Sequence, residues 1–271
     1  FRYTIYDEGK DTTINSCTFE GGQDTMNAPA IKVRSYGTHT ITNCYIINPK
    51  CEYRGAVSYL SEGYDGTLEG FETIKGDEEN ENFVFQNITI EGAQGIDRIA
   101  LDFIIKKDGV VDMNDITIQG CNKSKSCLIG LTIYEASGFN FDNFTFKNNV
   151  VTASYGGGTG IWLERRNDNK LFNFTFTNCS FIGNHAELTE NPNHQGYGGA
   201  LQLGGTTQSS TFTYTVTNCI FESNIADRYG GALSIEAENS FRCENCRFVR
   251  NEAAEFGGAI YVDPSCSRGS S

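Results

Sequence analysis

No run of 18 apolar residues occurs, so no segment is written as a membrane-spanning helix. Proline is scarce, at 4 of 271 residues, and long patterns of helical period are missing. Basic residues are outnumbered: 21 Lys and Arg stand against 34 Asp and Glu, for a net charge of -13. A nucleic-acid binder needs a basic face to displace counterions, and anionic lipid repels such a chain. Both partners are therefore excluded by expectation, and solubility is the plain consequence of the charge. His39, His185 and His194 show no metal-ligand spacing. No P-loop, dinucleotide fingerprint or nucleophile elbow appears, so no cofactor or metal is expected. The chain opens at Phe1 with neither an initiator Met nor a signal-peptide pattern, and reads as a processed chain or a fragment of a longer surface protein.

What is present is aromatic, glycine-rich and periodic. There are 19 Phe, 13 Tyr and 30 Gly. Short runs such as FNFTFTNC and TFTYTVTNC alternate apolar and polar residues, the mark of half-buried strands. In the first, Phe172, Phe174 and Phe176 are expected on the inner face, with Asn173 and Thr175 outside. Ten cysteines favour an oxidising compartment, hence an extracellular or cell-surface location.

The runs recur. Aligned on a short strand that follows a polar turn residue, the register positions are Cys17, Cys44, Ile88, Ile116, Phe144, Cys179, Cys219 and Cys246. Their intervals are 27, 44, 28, 28, 35, 40 and 27, a base period near 27. Insertions are expected at about 61–82, 155–170 and 186–196. A second strand follows 12 or 13 residues later, around Ala30, Ala56, Ala100, Ala232 and Ala259. It recurs near Ile129 and, further displaced, in GTGIWL and GGALQL.

One such unit cannot bury its apolar side alone, whereas stacked units share a continuous core. The pattern predicts a single all-β domain over 1–271: a right-handed parallel β-helix of about eight coils, roughly 40 Å long at the strand spacing. The residue before each register position supports this. It is Ser16, Asn43, Asn87, Asp115, Asn143, Asn178, Asn218 and Asn245. Asn tolerates the left-handed backbone region, and its amide can bond to the next amide one coil on. An asparagine ladder is therefore expected at this turn. A leucine-rich horseshoe would need a repeated Leu pattern, and a propeller would need about 40 residues per unit. The Gly pairs 198–199, 230–231 and 257–258 fit a turn that needs positive φ or close approach between coils.

Two tetrapeptides alternate in the C-terminal half. F-x-x-N occurs at 146–149, 181–184, 221–224 and 248–251, and G-G-A-[IL] at 198–201, 230–233 and 257–260. In this the sequence resembles the repeats of chlamydial polymorphic outer-membrane proteins, over roughly residues 140–262. Similar repeats occur in large surface proteins of some parasitic protists. The resemblance implies a parallel β-helix on a cell surface with structural or adhesive duties. Its partners would be a host or matrix glycan or protein.

Neighbouring coils bring equivalent Cα atoms within disulfide reach. Cys17 with Cys44, and Cys179, Cys219 and Cys246 among themselves, are thus disulfide candidates. A column of small buried thiols is the competing reading. Cys121 and Cys127 flank a short loop and suit a local disulfide. Cys243 and Cys246 form a lone C-x-x-C, unsuited to zinc without a second pair, and Cys51, Cys243 and Cys266 have no evident partner. Five N-x-[ST] sequons occur, at Asn87, Asn122, Asn143, Asn173 and Asn178. Asn122 and Asn173 are the glycosylation candidates, since the others fall in the ladder column.

Many parallel β-helices act on pectin. The N-T-D, paired Asp, G-H-G and R-I-K signatures of polygalacturonases are absent. A pectate lyase-like site would have to draw on Asp97, Asp102, Asp112, Asp115, Arg98, Lys106 and Lys107, which read more simply as surface charge. Tyr155, Trp162, Arg165 and Arg166 are the candidate binding group, able to stack on and hydrogen-bond a sugar or peptide. The expected function is a non-catalytic, surface-exposed structural or adhesive module. A polysaccharide-active enzyme, and a filament subunit binding further copies of itself end to end, are the alternatives.

Overall fold

A computed structural model describes residues 5–7, 11–24, 29–33, 38–51, 55–60, 82–96, 99–105, 109–122, 128–133, 136–152, 161–165, 172–188, 196–203, 212–236 and 240–263. Among these residues the fold is all-β, with no helix. Every strand pairing is parallel and joins one repeat to the next.

The pairings reproduce the spacing of the repeats. Thr18 pairs with Tyr45, Cys44 with Ile88, and Ile88 with Ile116. Thr117 then pairs with Thr145, Thr145 with Ser180, Ser180 with Ile220, and Ile220 with Arg247. These steps are 27, 44, 28, 28, 35, 40 and 27 residues, the intervals of the sequence columns. The second strand forms its own sheet through Ile31–Val33, Val57–Leu60, Leu101–Ile105, Ile129–Ile133 and Ile161–Arg165. Leu201–Leu203, Leu233–Glu236 and Ile260–Asp263 stack separately. A further sheet joins Val150–Thr152, His185–Glu187, Ile225–Ala226 and Glu252–Ala253.

Two turns recur in each repeat. The residue before the register position has positive φ every time, from 51° at Asn87 to 57° at Asp115. Five residues later a second positive φ occurs, at Gly21, Asn48, Gly92, Gly120, Asn148, Gly183, Ser223 and Arg250. Between the two turns lies a three-residue strand whose middle side chain points inward. That inward column runs Phe19, Ile46, Ile90, Ile118, Phe146, Phe181 and Phe221, all buried.

The core is a stack of rings. Phe146, Phe181, Phe221 and Phe248 follow one another at 5.5, 4.7 and 4.8 Å, nearly coplanar. Phe172, Phe174 and Phe176 are buried while Asn173 is exposed, as the alternation predicts. Phe141 lies 4.9 Å from Phe176, and Phe174 5.3 Å from Tyr214. Identical side chains meet because in-register parallel strands put the same column of successive repeats one strand spacing apart.

Gly198, Gly230 and Gly257 have φ of 64° to 67°. A Cβ on these glycines would also run into the carbonyl oxygens of Leu201, Leu233 and Ile260, and one on Gly199 or Gly231 into that of Gly231 or Gly258. The first glycine thus answers to conformation and close approach together, and Gly199 and Gly231 to close approach.

Candidate functional site

On the outside, the first turn carries a broken ladder of polar side chains. Asn43 Nδ2 donates to Asn15 Oδ1 at 2.8 Å, and Asn87 Nδ2 to Asn43 Oδ1 at 2.7 Å. Asp115 interrupts the amides. Its carboxylate accepts from Asn143 at 2.6 Å and from Gln86 at 3.2 Å, which holds its pKa below the ordinary carboxylate value. Asn178 then donates to Asp142 at 3.0 Å rather than to Asn143, and Asn218 reaches Asn178 at 3.5 Å. Asn245 shares the positive φ of this column.

A second ladder lies inside, built by the asparagine of F-x-x-N. Asn149, Asn184 and Asn224 are fully buried, and Asn251 half-buried. Nδ2 of Asn149 donates to Oδ1 of Asn184 at 3.0 Å, Asn184 to Asn224 at 3.0 Å, and Asn224 to Asn251 at 2.9 Å. Each Nδ2 also donates to a carbonyl one repeat back, at Ile118, Phe146, Phe181 and Phe221 in turn. Each Oδ1 accepts a backbone N–H as well, from Cys121, Asn149, Asn184 and Asn224. One side chain so satisfies the groups that the second turn frees from the strand ladder. The tetrapeptide was legible; the direction of its Asn was not, because a motif does not say which side of the wall a turn residue faces.

The cysteine column has a local role. Each register thiol lies 3.2 to 3.3 Å from the carbonyl two residues earlier, at Asn15, Thr42, Thr177, Thr217 and Glu244. Cys17, Cys44, Cys121, Cys179, Cys219, Cys243 and Cys246 are unbridged thiols in this structure, and the buried Cys51 lies 3.3 Å from the Ile99 carbonyl. Cys17 and Cys44 nonetheless touch, as do Cys219 and its neighbours Cys179 and Cys246. Burial pushes the Cys121 thiol up to about 12 and raises that of Cys44. Cys179 is raised by its hydrogen bond to Cys219 and by burial, and Cys219 is lowered by the same bond. Cys127 and Cys266 lie outside the described residues.

The outer surface of the last repeats carries an aromatic column that the sequence reading passed over. Tyr197, Tyr229 and Phe256 occupy bridged positions of three successive repeats, with ring centroids 4.9 and 5.6 Å apart. Tyr261 joins Tyr229 at 4.6 Å. The Arg228 guanidinium lies 5.0 Å from the Tyr229 ring centroid and 5.8 Å from that of Tyr197, and donates to Glu255 at 3.1 Å. Hydrogen bonds from Tyr229 and Arg228 lower the Glu255 pKa. Phe256 is 63% exposed. Beside this column, His185 bonds Asp227 at 2.8 Å. The available signal was the aromatic residue preceding each Gly pair, in YGGA, YGGA and FGGA.

The expected binding group is placed only in part. Trp162 and Arg165 lie on the strand Ile161–Arg165, where Trp162 pairs with Gly130. Tyr155 and Arg166 lie outside the described residues. Of the expected glycan acceptors, Asn173 is exposed on the strand Phe172–Thr177, and Asn122 bridges Gln94 with its Oδ1 buried. Asn87, Asn143 and Asn178 use their amide nitrogens in the outer ladder. Asp102 is buried, while Asp112 is exposed and accepts from Asn140 at 2.8 Å. Asp97, Arg98, Lys106, Lys107 and His194 fall outside the described residues. His39 is buried on the strand Thr38–Ile47. Among the described residues no group of three or more His, Cys, Asp or Glu has metal-holding geometry.

No curated protein matches the chain. Residues 218–236 run from the positive-φ Asn218 through Cys219, Phe221 and the buried Asn224 to the Gly230–Gly231 pair and the second strand, and this segment matches the Chlamydia polymorphic membrane protein repeat.

Proposed function

We propose that the chain is an extracellular or cell-surface module, wound as a right-handed parallel β-helix of about eight coils and serving a structural or adhesive role without catalysis. The observation that carries this reading is the register kept from Thr18 to Arg247, lined outside by a broken polar ladder and held from Phe146 to Asn251 by the buried Asn ladder and a ring stack. Such a frame resists deformation, because sliding one repeat would break hydrogen bonds in several columns together. It holds outward side chains in fixed rows and so presents an extended contact surface. The Tyr197–Tyr229–Phe256 column with Arg228 and Glu255 is the part of that surface suited to a glycan or protein partner, since Tyr and Arg dominate contact energetics. The polymorphic membrane protein repeat at 218–236 supports a surface setting.

Beads coated with the chain should retain host cells or glycans on an array, and Tyr229→Ala should reduce retention while the chain keeps the parent circular dichroism spectrum. Turnover of polygalacturonate in the presence of calcium would overturn the non-catalytic reading. Retention unchanged by Tyr229→Ala would move the contact surface elsewhere.

A further inference from the structure

Four sulfurs in the C-terminal repeats form a continuous row. Cys179, Cys219 and Cys246 stand at one position of three successive repeats, flanked by the registered pairs Thr177–Thr217–Glu244 and Ser180–Ile220–Arg247. Cys219 Sγ accepts the backbone N–H of Cys179 at 3.3 Å and hydrogen-bonds to the thiols of Cys179 and Cys246. Cys246 in turn hydrogen-bonds to Cys243, across the turn at Asn245. The row therefore runs 179, 219, 246, 243. Its inner end is sealed, for Cys179 and Cys219 are 0% exposed, while Cys243 and Cys246 are partly open to solvent.

We infer that this row is a thiol–disulfide relay that takes up oxidising equivalents at Cys243 and Cys246 and delivers them to a buried Cys179–Cys219 cross-link. A small-molecule disulfide, such as glutathione disulfide, oxidises the open pair. The Cys246 thiolate attacks it and releases one thiolate, then Cys243 attacks the Cys246 sulfur and expels the second. Two protons leave, and two electrons pass to the reagent, which becomes two thiols. The next steps are isoelectronic. Cys219 thiolate attacks the Cys246 sulfur, forming Cys219–Cys246 and releasing Cys243. Cys179 then attacks the Cys219 sulfur, forming Cys179–Cys219 and releasing Cys246, which takes up the Cys179 proton. Attack on a disulfide sulfur proceeds from the side opposite the leaving sulfur, and for the second exchange the equivalent positions 179, 219 and 246 of stacked strands supply that line. A second equivalent of reagent leaves Cys243–Cys246 closed as well.

The inward direction has a physical cause. The inner bond closes a loop of 40 residues and the outer one a tight turn, and longer loops gain more from cross-linking. In-register strands hold equivalent Cα atoms about 4.8 Å apart, inside the range a disulfide spans. Giving up the thiol protons orphans little, because the Thr177 and Thr217 carbonyls also accept Asn143 N–H and Asn178 N–H. The alternative product, Cys219–Cys246, strands a thiol at each end of the row.

The full chain is treated in its native state with limiting, then excess, glutathione disulfide. It is quenched by alkylation, unfolded, alkylated with a second tag and mapped by non-reducing chymotryptic digestion. With limiting reagent an early Cys243–Cys246 bond gives way to Cys179–Cys219 as its own thiols reappear. Excess reagent removes all four alkylatable thiols and leaves those two bonds. Cys246→Ser, checked for an unchanged circular dichroism spectrum, keeps Cys179 and Cys219 reduced over the time in which the parent chain oxidises them. Cys219–Cys246 as the final product, or four thiols still alkylatable after excess reagent, overturns the cross-link. Formation of Cys179–Cys219 in Cys246→Ser at the parent rate overturns the relay.

Discussion

Nδ2 of Asn184 donates to Oδ1 of Asn224 across 3.0 Å, and both side chains are fully buried. The same amide serves the Phe146 carbonyl, and its oxygen serves both nitrogens of Asn149. One asparagine thereby joins three repeats.

Asn184→Ala leaves buried donors and acceptors without partners, each costing about 1–3 kcal/mol. Urea denaturation should show a loss of about 3 kcal/mol or more. Asn178→Gly, in the exposed ladder, keeps the positive φ and loses only solvent-facing bonds. Its effect should stay within about 1 kcal/mol. Equal losses from the two variants would show that the buried ladder has no special weight.

Gly231→Ala tests the close approach of repeats. The added Cβ would meet the carbonyl oxygens of Gly258 and Glu252, both backbone atoms that cannot turn aside. Separating the repeats there breaks the Gly231 N–H to Gly257 bond and its neighbours. A cost of about 2 kcal/mol or more is expected, against about 0.5 kcal/mol for the control Thr215→Ala on an outer strand face. Amide exchange should localise the damage to residues 198–203, 230–236 and 257–263. A Gly231→Ala chain as stable as the control would refute the packing argument.

Asp115 gives the outer ladder an acid limb. Its folded pKa is lowered by hydrogen bonds from Asn143 and Gln86. A lowered carboxylate contributes stability that is fully present above its unfolded value, about 3.9, and is lost as pH falls through the folded value. The unfolding midpoint should therefore fall with acid in that window, and less steeply in Asp115→Asn. Identical acid limbs for the two chains would remove Asp115 from the account.

Much of the frame was legible because repetition is a property of the chain. Eight turn residues at irregular intervals can share one role only if the same unit recurs, and strand pairing at those intervals follows. Inward Phe172, Phe174 and Phe176 were legible for a similar reason, since period two assigns faces along a strand. Asn149, Asn184, Asn224 and Asn251 were visible as a motif but not as a buried ladder. Inside and outside are assigned by the bend of the chain at the second turn, and that bend is not written in the spacing. The Tyr197–Tyr229–Phe256 column was missed because its residues stand 32 and 27 positions apart and meet only when the repeats stack.

The sequence by itself determined the period, the register of the parallel strands and the alternation of the core, because these follow from local periodicity and the need to hide apolar faces. Only the tertiary structure decided which polar side chains face inward, which aromatic residues form one column and which thiols touch. Those relations depend on stacking residues about 27 to 44 positions apart within one strand spacing, and no single repeat contains that distance.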